Sequence, residues 1–95
     1  IYFSRAAVPH VRGKEIAQWL QYHTFYSHIG LYGYRYPVLQ KLTQLAPSPL
    51  EEAESLEQLR WLEHGYKIFT AETEFESFGV DTPGDIIHLR NLGLF

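Results

Sequence analysis

The sequence predicts an α/β protein. Three observations carry that reading. Runs rich in β-formers, Ile1–Ala6, His28–Arg35 and Lys67–Glu72, alternate with segments of helical spacing. A long helix is marked at both ends inside Ser48–Gly65. A last helix opens on Gly79-Val80-Asp81-Thr82-Pro83. The resulting order, β, α, β, α, α, β, α, implies crossover connections.

Ile1–Ala6 alternates weakly and reads as a strand that Pro9 ends, with a loop through Gly13. Lys14–Tyr22 places Ile16, Trp19 and Leu20 at helical spacing, and Thr24–Ser27 links it onward. In His28–Arg35, HIGLYGYR, Ile29, Leu31 and Gly33 alternate with Gly30, Tyr32 and Tyr34. Period 2 with aromatics predicts a strand. Two glycines inside it imply a bulge or a close approach to the backbone, by a ligand or by the sheet itself. Pro37–Leu45 reads as a helix with Val38, Leu39, Leu42 and Leu45 inward.

Ser48–Gly65 reads as one helix of about four turns. Ser48 and Glu51 make a capping box, Pro49 takes the first position, and Glu51, Glu52 and Glu54 crowd the positive end of the dipole. Gly65 suits the left-handed closing residue. Leu50, Ala53, Leu56, Leu59 and Leu62 step by three, so the apolar row drifts around the cylinder and asks for cover on more than one side. Glu57 falls between Ala53 and Trp61 on that apolar ground, where a carboxylate needs a partner. Two readings stand: a pair with Arg60 or a snorkelling surface side chain, and a role for Glu57 and Gln58 toward a polyhydroxylated ligand. After the Lys67–Glu72 strand and a loop through Phe78, Thr82 caps the last helix, with Pro83 first and Asp85 as capping carboxylate. Ile86, Ile87 and Leu89 are expected inward and Gly93 closes it.

Composition narrows the function classes. The 95 residues make one small domain or a piece of a larger one, 45% hydrophobic and 16% aromatic, enough for a core. A net charge of −3 without a basic cluster argues against nucleic acid. No apolar run approaches the roughly 20 residues that span a bilayer, so no membrane partner is expected. There is no cysteine, hence no thiolate or disulfide chemistry. The chain opens on IYFSRA as if inside a strand, and the expectation is a fragment lacking its N-terminal part. Neither a dinucleotide fingerprint nor a Walker A loop is present. The histidines, His10, His23, His28, His64 and His88, form no metal-ligand pattern, and Ser4 has no nucleophile elbow. Asp81 stands just ahead of a helix start, where ligands gather in α/β sheets and where Mg²⁺ takes one or two carboxylates; an Asx-type turn residue is the plainer alternative.

YFSRA, HIGLYGYR, PSPLEEAESLEQLR and GVDTPGD stand here in the order they take in 3-deoxy-manno-octulosonate cytidylyltransferases, the CMP-Kdo synthetases. The chain resembles the C-terminal part of such an enzyme along nearly all its length. The resemblance implies part of a nucleotide-sugar-transferase-like three-layer α/β/α fold, with residues 1–95 as its sugar-acid-binding and dimerisation portion and the CTP-binding part lying outside. It implies an Mg²⁺-dependent nucleotidyltransferase that moves CMP from CTP to Kdo for lipopolysaccharide synthesis in the cytoplasm. It places Arg5 near the sugar acid, His28 and Tyr32 along the Kdo pocket, Glu57 and Gln58 on sugar hydroxyls, and Asp81 as the catalytic Mg²⁺ ligand. It also implies a homodimer, to which Trp19, Phe25, Tyr26 and Tyr36 contribute. Two departures stand out: Gly84 occupies a position usually acidic, and HVRGKE after Pro9 is variable, so no role passes to Arg12 or Lys14. The family's basic, Gly-rich CTP motif and its Gly-Asp-Glu-Pro segment are not in this sequence. The rival readings are a cytidylyltransferase for another acidic sugar and a non-catalytic binding or dimerisation module.

Overall fold

The computed structural model describes residues 1–94 and is helical between extended stretches. A 3₁₀ turn at Ile16–Gln18 runs into α1, Trp19–Tyr22. Then follow α2, Tyr36–Leu42; α3, Pro49–Glu54; α4, Gln58–Glu63; and α5, Pro83–Asn91.

The predicted strands are the first correction. Among the described residues no β-strand forms, and 1–6, 28–35 and 67–72 run without a ladder partner. A strand is stabilised by pairing with a neighbour, so propensity alone leaves these runs extended or bent. In HIGLYGYR, Leu31 N donates to Ile29 O at 2.9 Å, a three-residue turn centred on Gly30 that breaks the period-2 run. A side chain at Gly30 or Gly33 would meet open space, so neither glycine marks a close approach within the described residues.

The second correction is the long helix. It starts at the predicted residue: Ser48 N donates to Glu51 Oε2 at 3.3 Å, the return half of a capping box, while the buried Ser48 hydroxyl has no hydrogen-bond partner among the described residues. It ends as predicted: Gly65 has φ 86°, Gly65 N donates to Leu62 O at 3.1 Å and Tyr66 N to Trp61 O at 3.0 Å, a Schellman closure. Between these ends it breaks. Ser55 adopts the left-handed conformation (φ 53°, ψ 45°), and α4 starts afresh after Glu57. The break lets α3 and α4 pack on each other, and Leu59 becomes fully buried, at 0% exposure. A row of leucines at a step of three cannot keep one face of a straight helix; two short helices set at an angle bury it better. Arg60 ties the pair, Nε and Nη2 donating to Glu51 Oε2 and Oε1 at 2.6 and 2.5 Å, and Leu50 N donates to Glu63 Oε2 at 3.0 Å. Arg60 thus pairs with Glu51, not with Glu57 as the spacing allowed.

The remaining core is small. Leu42 of α2, Trp19 of α1 and Leu89 of α5 are buried. Trp19 donates through Nε1 to Lys14 O at 3.1 Å, with the Phe25 ring stacked at 6.1 Å and the His10 ring edge-on at 5.0 Å. Ile86 and Ile87, expected inward, are largely exposed, and Ile16 and Leu20 face outward too. Gly93 closes α5 with φ 76°, Leu94 N donating to Leu89 O at 3.2 Å. No helix among the described residues is long and apolar enough to cross a membrane.

Candidate functional site

The polar residues nominated by the sequence collect in two places, with one outlier. The first place is an aromatic cluster where the 28–35 segment meets α4. The Tyr32 hydroxyl is hydrogen-bonded to His28 Nε2. The Tyr32 ring lies edge-on to Trp61 at 5.8 Å and 6.3 Å from Tyr34, itself 5.5 Å from Trp61. Phe3 closes the other side, its ring 5.0 Å from His28. His28, Tyr32, Tyr34, Trp61 and Phe3 line one open groove. Edge-to-face contacts of this kind fix ring orientation beyond simple area burial. Burial, then the neighbouring Tyr34, then the charge of Glu57 push the Tyr32 phenol above the ordinary tyrosine range. Burial and Glu57 raise Tyr34 too, so the Glu57 carboxylate is felt at both phenols.

The second place is the start of α4. Glu57 is exposed, at the N-cap position with helical backbone angles. Gln58, the next residue, is 4% exposed, and its Nε2 finds no hydrogen-bond partner among the described residues. Leaving a buried donor unpaired costs about 1–3 kcal/mol, so such a group asks for an acceptor.

Arg5 joins this second place by way of its backbone neighbours. Its Nε donates to Glu54 O at 2.6 Å and Nη2 to Ser55 O at 2.8 Å, just ahead of Glu57. Glu54 was missed as more than a dipole charge. Its carboxylate accepts from Arg5 N at 3.0 Å, Ser4 Oγ at 2.7 Å and Tyr2 OH at 3.4 Å. Those donors, the Arg5 amide first, hold its carboxyl below the ordinary carboxylate range. Tyr34, Trp61 and Phe3 were also missed, because no local spacing links positions 3, 34 and 61.

Asp81 is the outlier. It is exposed, at the mouth of α5, and is not among the residues lining the groove. The neighbouring Asp85 carboxylate is spent on the cap: Oδ2 accepts from Asp81 N at 3.0 Å, Thr82 N at 2.8 Å and Thr82 Oγ1 at 2.9 Å. These bonds, the Asp81 amide first, lower the Asp85 pKa. Among the described residues no three His, Asp or Glu side chains gather to hold a metal. One free carboxylate fits Mg²⁺ only as a single ligand beside waters and phosphates.

The model of the cytidylyltransferase family matches residues 1–68 of the chain. The chain belongs to the cytidylyltransferase family. That match includes Arg5, His28, Tyr32, Glu57 and Gln58, and ends before Asp81. Among curated relatives, the 3-deoxy-manno-octulosonate cytidylyltransferase of Parabacteroides distasonis is 60% identical over 86 residues, 90% of this chain and 34% of the relative. The enzyme of the same name from Cytophaga hutchinsonii is 54% identical over 92 residues, 96% of this chain and 37% of the relative. That from Porphyromonas gingivalis is 48% identical, covering 99% of this chain and 39% of the relative. The cytidylyltransferase chain described here therefore spans little more than a third of the length of these relatives. No solved structure matches it.

Proposed function

We propose that this cytidylyltransferase chain is the sugar-acid side of a CMP-Kdo synthetase, an enzyme that joins CMP from CTP to Kdo and releases pyrophosphate. The observation that carries this reading is the start of α4: a buried Gln58 with an unpartnered amide next to Glu57, whose charge reaches the phenols of the His28–Tyr32 cluster. A polyhydroxylated sugar has the acceptors that such an amide lacks and the donors that a carboxylate and an imidazole–phenol pair take up. The names and identities of the relatives support the same substrate. Arg5, held on the carbonyls of Glu54 and Ser55 just ahead of Glu57, adds a positive charge there, suited to the sugar's carboxylate.

In this reading Glu57, Gln58, His28 and Tyr32 bind and orient the sugar acid, with one of its hydroxyls directed at the α-phosphorus of CTP. Asp81 would supply one oxygen to Mg²⁺, whose charge would neutralise the phosphates. The extended 1–6, 28–35 and 67–72 segments take up strand positions in a three-layer α/β/α fold beside residues outside this chain. The same proposal includes a homodimer, with Trp19, Phe25, Tyr26 and Tyr36 at the contact.

Steady-state kinetics of the complete enzyme tests it. Glu57→Gln and Gln58→Ala are expected to raise the KM for Kdo by about tenfold, the value of one to two lost polar contacts, with the KM for CTP little changed. Equal effects on both substrates, or none, would remove these residues from the sugar site.

A further inference from the structure

The longest-range polar tie among the described residues joins the first residues to the break between α3 and α4, about fifty positions away. One carboxylate and one guanidinium make it, and they are used in opposite senses. The Glu54 carboxylate collects donors from Tyr2, Ser4 and Arg5. The Arg5 guanidinium donates to the carbonyls of Glu54 and Ser55. Those carbonyls would have been consumed by the next turn had the helix continued, and a helix that stops must have them satisfied from elsewhere. Ser55 between them holds a left-handed conformation that residues with a Cβ adopt rarely. The Ser4 hydroxyl is itself held, accepting from Ala6 N at 3.0 Å while it donates to Glu54. One residue earlier, Phe3 sets its ring against His28. The segment 2–5 therefore touches both halves of the proposed sugar site: His28 on one side and the turn that delivers Glu57 and Gln58 on the other.

We infer that residues 2–5 form a strap that sets the geometry of this site, with Glu54 and Ser4 as positioning residues: they hold the left-handed turn at Ser55 and so place Glu57 and Gln58 relative to His28 and Tyr32. The inference rests on the sugar-site reading above and adds to it a group of residues that need not touch the sugar. Cutting the strap frees the turn to relax toward a helical continuation, which rotates Glu57 and Gln58 by the missing part of a turn. A displacement of about 1 Å at a binding group is enough to lose one to two orders of magnitude in rate.

The test is a set of variants of the complete enzyme assayed for pyrophosphate release, with the KM for each substrate and the melting temperature measured together. Glu54→Gln and Ser4→Ala are expected to raise the KM for Kdo about tenfold and leave the KM for CTP within about twofold. Ser4→Thr keeps the hydroxyl and is expected to behave as the parent. Gln58→Ala runs alongside as the marker of the sugar site itself. If Gln58→Ala raises the KM for Kdo while Glu54→Gln and Ser4→Ala do not, the strap is overturned and the sugar site stands. If Gln58→Ala has no effect on either KM, both are overturned. A fall in melting temperature with unchanged KM for Kdo makes the tie a purely structural one and also overturns the inference; the milder Ser4→Ala decides the point if Glu54→Gln does not fold.

Discussion

Tyr32 is both a packing residue and the phenol proposed to meet the sugar acid. Its ring is held by Trp61 and Tyr34, and its hydroxyl is engaged by His28. With its pKa raised by burial first, then by Tyr34 and Glu57, the phenol stays protonated throughout the neutral range and acts as a neutral donor. Tyr32→Phe preserves the ring and removes only the hydroxyl. It is expected to raise the KM for Kdo of the complete enzyme about tenfold, the value of one hydrogen bond, while the melting temperature moves by no more than a few degrees. Normal kinetics with a large stability loss would return Tyr32 to the core. His28 and Tyr32 meet as expected, but not through strand alternation, because the turn at Gly30 lies between them. Trp61 was not legible in the sequence, because its contact with residues 32 and 34 depends on how α4 is set, and nothing local encodes that. Glu54 reads as one of several first-turn acids; only the fold of residues 2–5 onto it gives it a distinct place.

At the scale of the element, the α3–α4 break carries most of what the sequence did not disclose. Both ends of the 48–65 stretch were readable because caps are local chemistry: Ser48 with Glu51, and Gly65 with its positive φ. The break was not, because Ser55 is no strong breaker and its conformation is imposed by the strap and by the burial of Leu59. Ser55→Gly relieves a left-handed strain of about 1–2 kcal/mol and adds unfolded-state entropy of about 0.5–1 kcal/mol, so denaturant unfolding is expected to shift little, toward higher stability. Ser55→Val adds a β-branch at the same φ and is expected to lower stability by at least about 1 kcal/mol. Equal tolerance of both would mean that the left-handed turn is not what joins the helices. Acid gives a second check. The hydrogen bond from Arg60 first, then that from Ser48 N, depresses the Glu51 pKa. A depressed carboxylate stabilises the fold fully above its unfolded pKa, and that contribution is lost as pH falls through the folded value. The melting temperature of the parent should therefore drop on acidification below the ordinary carboxylate range. Glu51→Gln should start lower at neutral pH and lose less on acidification. A parallel pair of curves would contradict the ion pair's role.

At the scale of the whole molecule, the helices and their caps were largely predicted from the sequence, whereas the α/β architecture is not formed within the described residues. The physical reason lies in the nature of a sheet. A helix satisfies its own backbone, but a strand needs a neighbour, and β-propensity in 28–35 and 67–72 specifies a willingness to pair and not the partner. Large apolar side chains along these runs remain outward, Phe69 92% exposed and Leu31 87%. The site divides in the same way. The residues proposed to meet the sugar lie in this chain, but the sequence has no phosphate cradle, and among the described residues no three His, Asp or Glu side chains gather to hold a metal at Asp81. The 95-residue chain on its own is accordingly expected to release no pyrophosphate from CTP and Kdo at saturating Mg²⁺. Turnover by it would mean that a nucleotide site lies among these residues. In the complete enzyme, Asp81→Asn should abolish turnover with little change in melting temperature, since the Thr82–Asp85 cap is untouched.

The central claim is that this chain recognises Kdo for CMP transfer. It is tested most directly by pyrophosphate release from CTP and Mg²⁺ by the complete enzyme, offered Kdo or a different acidic sugar such as N-acetylneuraminate at equal concentration. Release with Kdo, and little or none with the other sugar, is the predicted result. Preference for the other sugar, or no release with Kdo, would contradict it.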